Sequence, residues 1–519
     1  MTMTNLTAVS LPRDTNQALG IGQYAIDFLS GRLGTGPSQA VLDKTRLLHT
    51  DALLCGASAL ALRTNAPTIL RHEALEYSDT FGATPLGSSI TVKAEKAIVA
   101  NASAMREWDS NGTNFGYNPA LGHNAGEFGH NDFYSVVIAA CQQQRQNGAT
   151  ALKAMVLLDE IRGRLAEVFS LKSYRIDHVV HGAIASAATY GALMGATAEQ
   201  IESAIGMFVA HYIPWRAIRA GKQLSDSKGA SAAISTEVAV LSMKRAMAGF
   251  VGPKDIFRNP ESLFRQFEKT NGDSPFDLVF GHSGDDFAVM GMHFKMGLYE
   301  HQSAGALQGL LDLIAIHPEI LKPDAISRIL VKAYEPAFGI IGDPAKGDPH
   351  TRQSADHSMV YIVATMLRKA IEAQDTLPEY AATDTLWQML MLSPYDYNRD
   401  AIFHPMTRAL MAKIAFEHGG PEYDAKYPDG IPTSVVITTE DGRELDSGLV
   451  MYPAGHARNT TADLAAILRH KFTLLGALAL PDGADVPRLV AHLNELESLS
   501  AEEVTELYSF EIAHREGYE

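Results

Sequence analysis

The sequence predicts a mostly α protein with a large all-helical domain and a smaller α+β domain, on three observations. Helical apolar periodicity runs almost unbroken from about residue 23 to 269. Strand-like runs enter only after Phe287. The 519 residues exceed the roughly 250–300 that a single hydrophobic core sustains. The expected division is a helical domain over 1–290, an α+β domain over 291–455, and a C-terminal return to the helical domain over 456–519.

Apolar residues recurring at helical spacing predict helices over 22–32, 38–62, 92–106, 133–146, 149–169, 178–194, 198–211, 229–249 and 260–269. Gly195 follows HGAIASAATYGALM as a C-cap, and Thr197 with Gln200 forms a capping-box pattern for the next helix. Ala, Gly and Ser dominate 182–195, so this helix is expected at close packing distance inside the bundle or at a subunit interface. Further on, SRILVKAY at 327–334 reads as a strand, and TSVVITTEDGRELDSGLVMY at 433–452 as a hairpin turning at Asp441-Gly442. Helical patterns at 301–315, 357–372 and 404–417 accompany these strands, and two more near 460–477 and 485–497 follow them.

Composition removes several function classes. Apolar content is 46% with 20% charged residues, and no segment approaches the roughly 18 uninterrupted apolar residues of a membrane span, so a soluble protein is expected. The opening MTMTNLTAVSLPRDTNQALG has no basic region followed by an apolar one, which makes the cytoplasm the expected location. Cys55 and Cys141 are too few for a disulfide framework or for an iron–sulfur cluster held by this chain's cysteines. A formal charge of −17 argues against nucleic acid, and an anionic small molecule would need a local basic pocket.

The segment EWDSNGTNFGYNPALGHNAGEFGHNDFY, from Glu107 to Tyr134, carries Asp, Thr, Asn and His but almost no aliphatic side chain. Long aperiodic segments between packed helices tend to be functional loops. Asp109, Thr113, His123 and His130 supply a carboxylate, a hydroxyl and imidazoles, the groups that abstraction and delivery of a proton require; the other reading is a loop whose polar groups satisfy one another. The seven-residue spacing of His123 and His130 fits no helix-borne metal pair.

Other polar groups gather at predicted helix starts. Arg175, Asp177, His178 and His181 precede the small-residue helix, where Asp177 reads equally as a cap and His178 as an anion-binding group at a helix N-terminus. Lys228, in SDSKGAS, stands at the mouth of another helix, preceded by a basic cluster of Arg216, Arg219 and Lys222. His293, Lys295 and His301 fall at the expected domain junction, a favoured place for ligands. Arg352, Asp356 and His357 stand just ahead of MVYIVATMLRKAI, with capping by Asp356 or Ser354 as the alternative.

Together these segments resemble the MmgE/PrpD family from about residue 20 to 500, most specifically in SADHSMVYIVA (354–364), YPAGHARN (452–459), IDHVVHGAIASAA (176–188), LSDSKGASAA (224–233) and the Asp/Thr/His loop. The resemblance implies a helical domain with a smaller α+β lid, a homodimer, and an active site between the domains that needs no cofactor and no metal. Its catalytic positions fall on Asp109, Thr113, His130, His178, Lys228, Lys295 and His301. Arg219, Arg352, Asp356, His357 and Tyr361 are expected to bind substrate. Gly112 stands where dehydratase-like members often carry a second Asp, and Asn131 where a Pro often follows the loop His. The stretch between Thr113 and Gly122 looks inserted, which leaves His123 as an alternative to His130.

The expected chemistry is removal of a proton beside a carboxylate with loss of water from the adjacent carbon, turning 2-methylcitrate or a related hydroxy-tricarboxylate into an alkene. His130 or Asp109 would be the base, Lys228, Lys295 and Arg352 would anchor carboxylates, and His178 and His301 would protonate the leaving hydroxyl. Decarboxylation of cis-aconitate and epimerisation of an amino-dicarboxylate such as iminodisuccinate are the alternatives within the family. A catalytically silent binding protein is the alternative from another class.

Overall fold

A computed structural model describes residues 7–113, 116–221, 223–322, 324–378, 381–516 and 518. The fold is mostly α, and its centre is the small-residue helix Val179–Leu193, whose residues from Val179 to Gly191 are all buried. Five helices pack around it: Gln17–Leu29, Tyr134–Gln144, Gly148–Val168, Ala198–His211 and Ser227–Met247. Small side chains permit this crowding, for a Cβ at Gly182 would fall inside the ring of Phe133. The helix therefore belongs to the interior of the bundle. Its end is as expected: Gly195 adopts φ +81°, which suits glycine, and Thr197 and Gln200 form a reciprocal capping box for Ala198–His211.

A four-stranded mixed sheet carries the β content of the later part. Ile326–Ala333 is central, pairing in parallel with Ile414–His418 and antiparallel with Thr433–Thr439, which in turn pairs with Glu444–Asp446. Gly442, at φ +86°, makes the turn of that last pair. The helix Ala304–Ile316 packs on Thr433–Thr439, and Met359–Glu372 packs on Ile414–His418.

The helix expected over 404–417 is corrected. Pro405–Met411 is helical, but Ile414–His418 is a strand in register with Ile329–Ala333. The physical reason is tertiary: a five-residue segment gains a ladder of backbone hydrogen bonds and side-chain packing beside Val331, which outweighs local helical periodicity. The strand pair Ala8–Leu11 with Leu278–Gly281 and the helix Asn65–Leu75 are further elements that the periodicity did not mark.

The helix Leu464–Ala479, which follows the sheet, returns to pack against Gln39–Ala61. Its Lys471 is buried, pairs with Asp51 at 2.6 Å, and donates to the carbonyls of Ser110 at 2.5 Å and Lys295 at 2.9 Å. One ammonium thus ties the polar loop, the 295 segment and two helices distant in sequence to one point. Among the described residues no helix is long and apolar enough to cross a membrane.

Candidate active site

Helix termini assemble the site. The helix Ala94–Glu107 ends at Trp108, whose extended ψ of 133° turns the chain into Asp109. His178 is the N-cap of Val179–Leu193, and Lys228 is the second residue of Ser227–Met247. His301 opens the 3-10 turn that precedes Ala304–Ile316, and Arg352, Asp356 and His357 lie just before Met359–Glu372. Starts of helices carry partial positive charge, which His178 and Lys228 share at the starts of Val179–Leu193 and Ser227–Met247, whereas Asp109 follows a helix end.

The loop 107–134 is largely interior rather than superficial: Asp109, Asn111, Thr113, Glu127 and Asn131 are all buried. Its backbone is stitched in place, with Thr113 exchanging hydrogen bonds with His293 at 2.9 and 2.8 Å and bridging to His130 as well. Asp109 is the hub of the charges. Its carboxylate accepts from Lys295 and from Arg106 at 3.3 Å, and it lies 3.5 Å from Lys228 Nζ and 3.3 Å from His357 Nδ1. Burial alone would raise its pKa, but Arg106, Lys295, Lys228 and His357 overcome that and hold it well below the usual carboxylate range.

Asp356 is the second hub, bonded to Lys228 at 2.8 Å, His357 at 2.8 Å and Arg352 at 3.2 Å. Because His357 Nδ1 faces these acceptors, the neutral ring carries its proton there and leaves Nε2 as a lone pair. Burial, then Lys228, pull this histidine down to about 3, so it is neutral near pH 7. Arg352 is also committed to Glu107 and stacks over Trp108 at 5.1 Å. Neither Asp356 nor Ser354 is the N-cap of Met359–Glu372, which is Ser358; Thr351 caps the start of the short Arg352–Ala355 turn.

The imidazoles share one electrostatic condition. Burial pushes His130, His178 and His301 below their ordinary value, His178 to about 3. His130 Nε2 accepts from Arg106 at 3.2 Å, while its Nδ1 is buried without a partner. Its ring meets His178 edge-on at 5.3 Å. Both nitrogens of His301 are buried and unpartnered, and its ring stacks on His293 at 4.9 Å, which stacks on His456 at 3.9 Å. His123 lies elsewhere, 3.1 Å from Glu167 on the partly exposed inserted stretch, so His130 is the loop histidine beside Asp109.

Of the expected substrate-binding residues, Arg352, Asp356 and His357 join the cluster, whereas Arg219 reaches it through Asp177, which it bonds at 2.5 Å. Asp177 is therefore an ion-pair partner rather than a cap. Tyr361 is not drawn in: its hydroxyl donates to the Asp396 carbonyl at 2.6 Å. Arg216 keeps a buried guanidinium nitrogen without a hydrogen-bond partner, and Lys222 lies outside the described residues. Sequence reasoning passed over Arg106, Glu107, Glu300, His456 and Lys471. Arg106 had a visible signal, an arginine in the small-residue helix ANASAMRE, and Lys471 a weaker one in an apolar C-terminal helix.

Asp109, Asp356 and His357 bring three ligand-type atoms within 4.8 Å of one another, the geometry of a cation site. Lys228, Lys295, Arg106 and Arg352 already neutralise these carboxylates, and their charge opposes a further cation. Chemically, the arrangement holds an ionised carboxylate among cations and neutral imidazoles, suited to moving a proton beside a substrate anion.

Comparison with known proteins gives two family matches: the MmgE/PrpD N-terminal domain over residues 27–275 and the MmgE/PrpD C-terminal domain over 299–494. Similar curated proteins include an alkylcitrate dehydratase from a fungal species, 27% identical over 69% of this chain and 67% of its own length. A mitochondrial 2-methylcitrate dehydratase from Yarrowia lipolytica is 25% identical over 69% of the chain and 64% of its own. A 2-methylcitrate dehydratase from Escherichia coli K12 is 24% identical over 69% and 70%. The matched stretch thus spans about two thirds of these relatives' lengths.

Proposed function

The chain belongs to the MmgE/PrpD family, and on that premise we propose that it is a hydro-lyase that dehydrates 2-methylcitrate or a related hydroxy-tricarboxylate to the corresponding alkene, 2-methyl-cis-aconitate in the first case. Relatives named for 2-methylcitrate and alkylcitrate dehydration support the substrate class. The observation that carries the reading is the Asp109 carboxylate, ionised among Arg106, Lys228 and Lys295 in a water-poor interior.

The mechanism follows from that clamp. Abstracting a proton beside a carboxylate builds negative charge on that carboxylate, and fixed cations lower the energy of the developing dianion. Lys228 and Lys295 supply that charge. As they turn towards the substrate, Asp109 loses part of its own compensation and becomes more basic when a base is required. Arg352, held by Glu107 and Asp356, acts through Asp356 to fix Lys228 and His357. The neutral His130, His178 and His301 orient substrate oxygens by donating or accepting hydrogen bonds. No step in this scheme calls for a cofactor. We read the α+β part over 291–455 as a lid over the site and the working protein as a homodimer, as in the family the chain resembles.

Purified protein incubated separately with 2-methylcitrate, citrate, cis-aconitate and iminodisuccinate, with chelator present, is to be followed by proton NMR. Alkene signals growing from 2-methylcitrate or citrate support the dehydratase. Itaconate from cis-aconitate, or epimerisation of the amino-dicarboxylate, replaces it with another reaction of the family. Binding of a tricarboxylate without turnover in any tube overturns the catalytic reading.

A further inference from the structure

Glu300 stands immediately before His301 and is half-buried. Its carboxyl accepts the Gln302 backbone N–H at 2.8 Å, and its own backbone N–H donates to the Asp356 carbonyl at 3.0 Å. The side chain is therefore the N-cap of the His301–Ser303 turn, and the backbone is tied to the segment that carries Asp356. The charged and titratable groups within electrostatic reach of it are Asp109 and Lys295 of the charged cluster, Lys346 of the Pro344–Lys346 turn, Arg216 of the Arg216–Arg219 turn, and Tyr334 just after the central strand.

Asp109, Asp356, Asp177 and Glu107 each have a cation in direct ion-pair contact. Among the described residues no cation forms such a pair with Glu300. Burial, and then the Asp109 charge, push its carboxyl up to about 7, so a substantial fraction carries a proton near neutral pH. His178 and His301 are held neutral by burial and have no imidazolium proton to give there. Nor does position 112 have room for an acid, since a Cβ on Gly112 would overlap Asn131 Oδ1.

We propose that Glu300 is the general acid of the reaction, giving its carboxyl proton to the departing hydroxyl of the substrate. The proposal rests on the dehydratase reading above. As Asp109 takes the proton from one carbon, the electron pair of that C–H bond forms the alkene. The C–O bond breaks with its electrons on oxygen, and the Glu300 proton completes a water molecule. Asp109 then releases a proton to solvent and Glu300 regains one, so atoms and charge balance over the cycle. Two carboxyls pushed apart in pKa by their surroundings divide the roles of base and acid.

The test is the pH profile of kcat in the wild type and in Glu300→Gln, whose amide oxygen still accepts the Gln302 N–H. Wild-type kcat is expected to fall as pH rises through about 7. The variant is expected to lose this alkaline limb and about 10²–10⁴-fold in kcat, with KM changed only a few-fold and the melting temperature retained. An active wild type whose alkaline limb persists unchanged in Glu300→Gln overturns the acid role and leaves the dehydratase reading standing, even if kcat falls. A wild type inert on every hydroxy-tricarboxylate removes both.

Discussion

Lys228 Nζ donates to Asp356 at 2.8 Å and stands 3.5 Å from Asp109, so one buried ammonium serves two buried carboxylates. Burial pulls this lysine's pKa down, while Asp356 and Asp109 oppose the fall. Breaking a buried pair from one side leaves an uncompensated charge in the interior, which costs about 3–5 kcal/mol. Lys228→Ala is therefore expected to lose that much stability as well as turnover, measured by denaturant unfolding beside an activity assay. A variant that unfolds within about 1 kcal/mol of wild type would show that the two carboxylates do not depend on Lys228.

The two loop histidines separate cleanly in space, and their variants should separate in kinetics. His130 is buried against Arg106 and His178, whereas His123 pairs with Glu167 on the partly exposed rim. His130→Ala is expected to lower kcat by about 10²-fold or more, and His123→Ala to leave it within a few-fold. Steady-state kinetics on both proteins decides, and the reverse ranking would move the site onto the inserted stretch.

Helix order was readable because long helical periodicity and caps such as Thr197–Gln200 are local signals. Ile414–His418 was not, because its strand state comes from a partner some 80 residues earlier, Ile329–Ala333. The same division holds at the site. Asp109, His130, His178, Lys228 and Lys295 announce themselves as polar residues at helix ends or in a loop without aliphatic side chains. Which carboxylate neutralises which cation is a property of three-dimensional proximity, so the engagement of Arg352 by Glu107 had no sequence signature, and a lysine in an apolar helix marked Lys471 without revealing what it ties. Tyr361 shows the converse: it lies within a family-like motif but spends its hydroxyl on Asp396.

Gly112 stands where an added side chain would meet occupied space. A Cβ there would overlap Asn131 Oδ1 and stand 2.5 Å from Leu48 Cδ2, and both neighbours are themselves fully buried. Gly112→Asp is expected to destabilise by at least about 1–3 kcal/mol through overpacking, before the cost of burying another carboxylate, and to bring no gain in kcat. Thermal melting and turnover of the same preparation test this, and a stable, faster variant would reinstate position 112 as a catalytic site.

His181 offers a pH signature that is independent of catalysis. It is buried in the first turn of Val179–Leu193, with Nε2 2.9 Å from the Phe169 carbonyl and Nδ1 without a partner. Burial lowers its pKa from 6.5 to about 4, against a smaller opposing effect of the Phe169 hydrogen bond. Between those values the unfolded chain binds a proton that the folded chain refuses, so stability is complete above about 6.5 and is lost as pH falls towards 4. The loss from this one group amounts to about 3 kcal/mol. His181→Gln removes the titration and forfeits part of the Phe169 contact. Its unfolding free energy is expected to be lower than wild type at pH 7, with the gap narrowing towards pH 4.5. Urea unfolding of both proteins at several pH values measures the gap, and parallel curves across that window would mean that His181 titrates alike in the folded and unfolded chains.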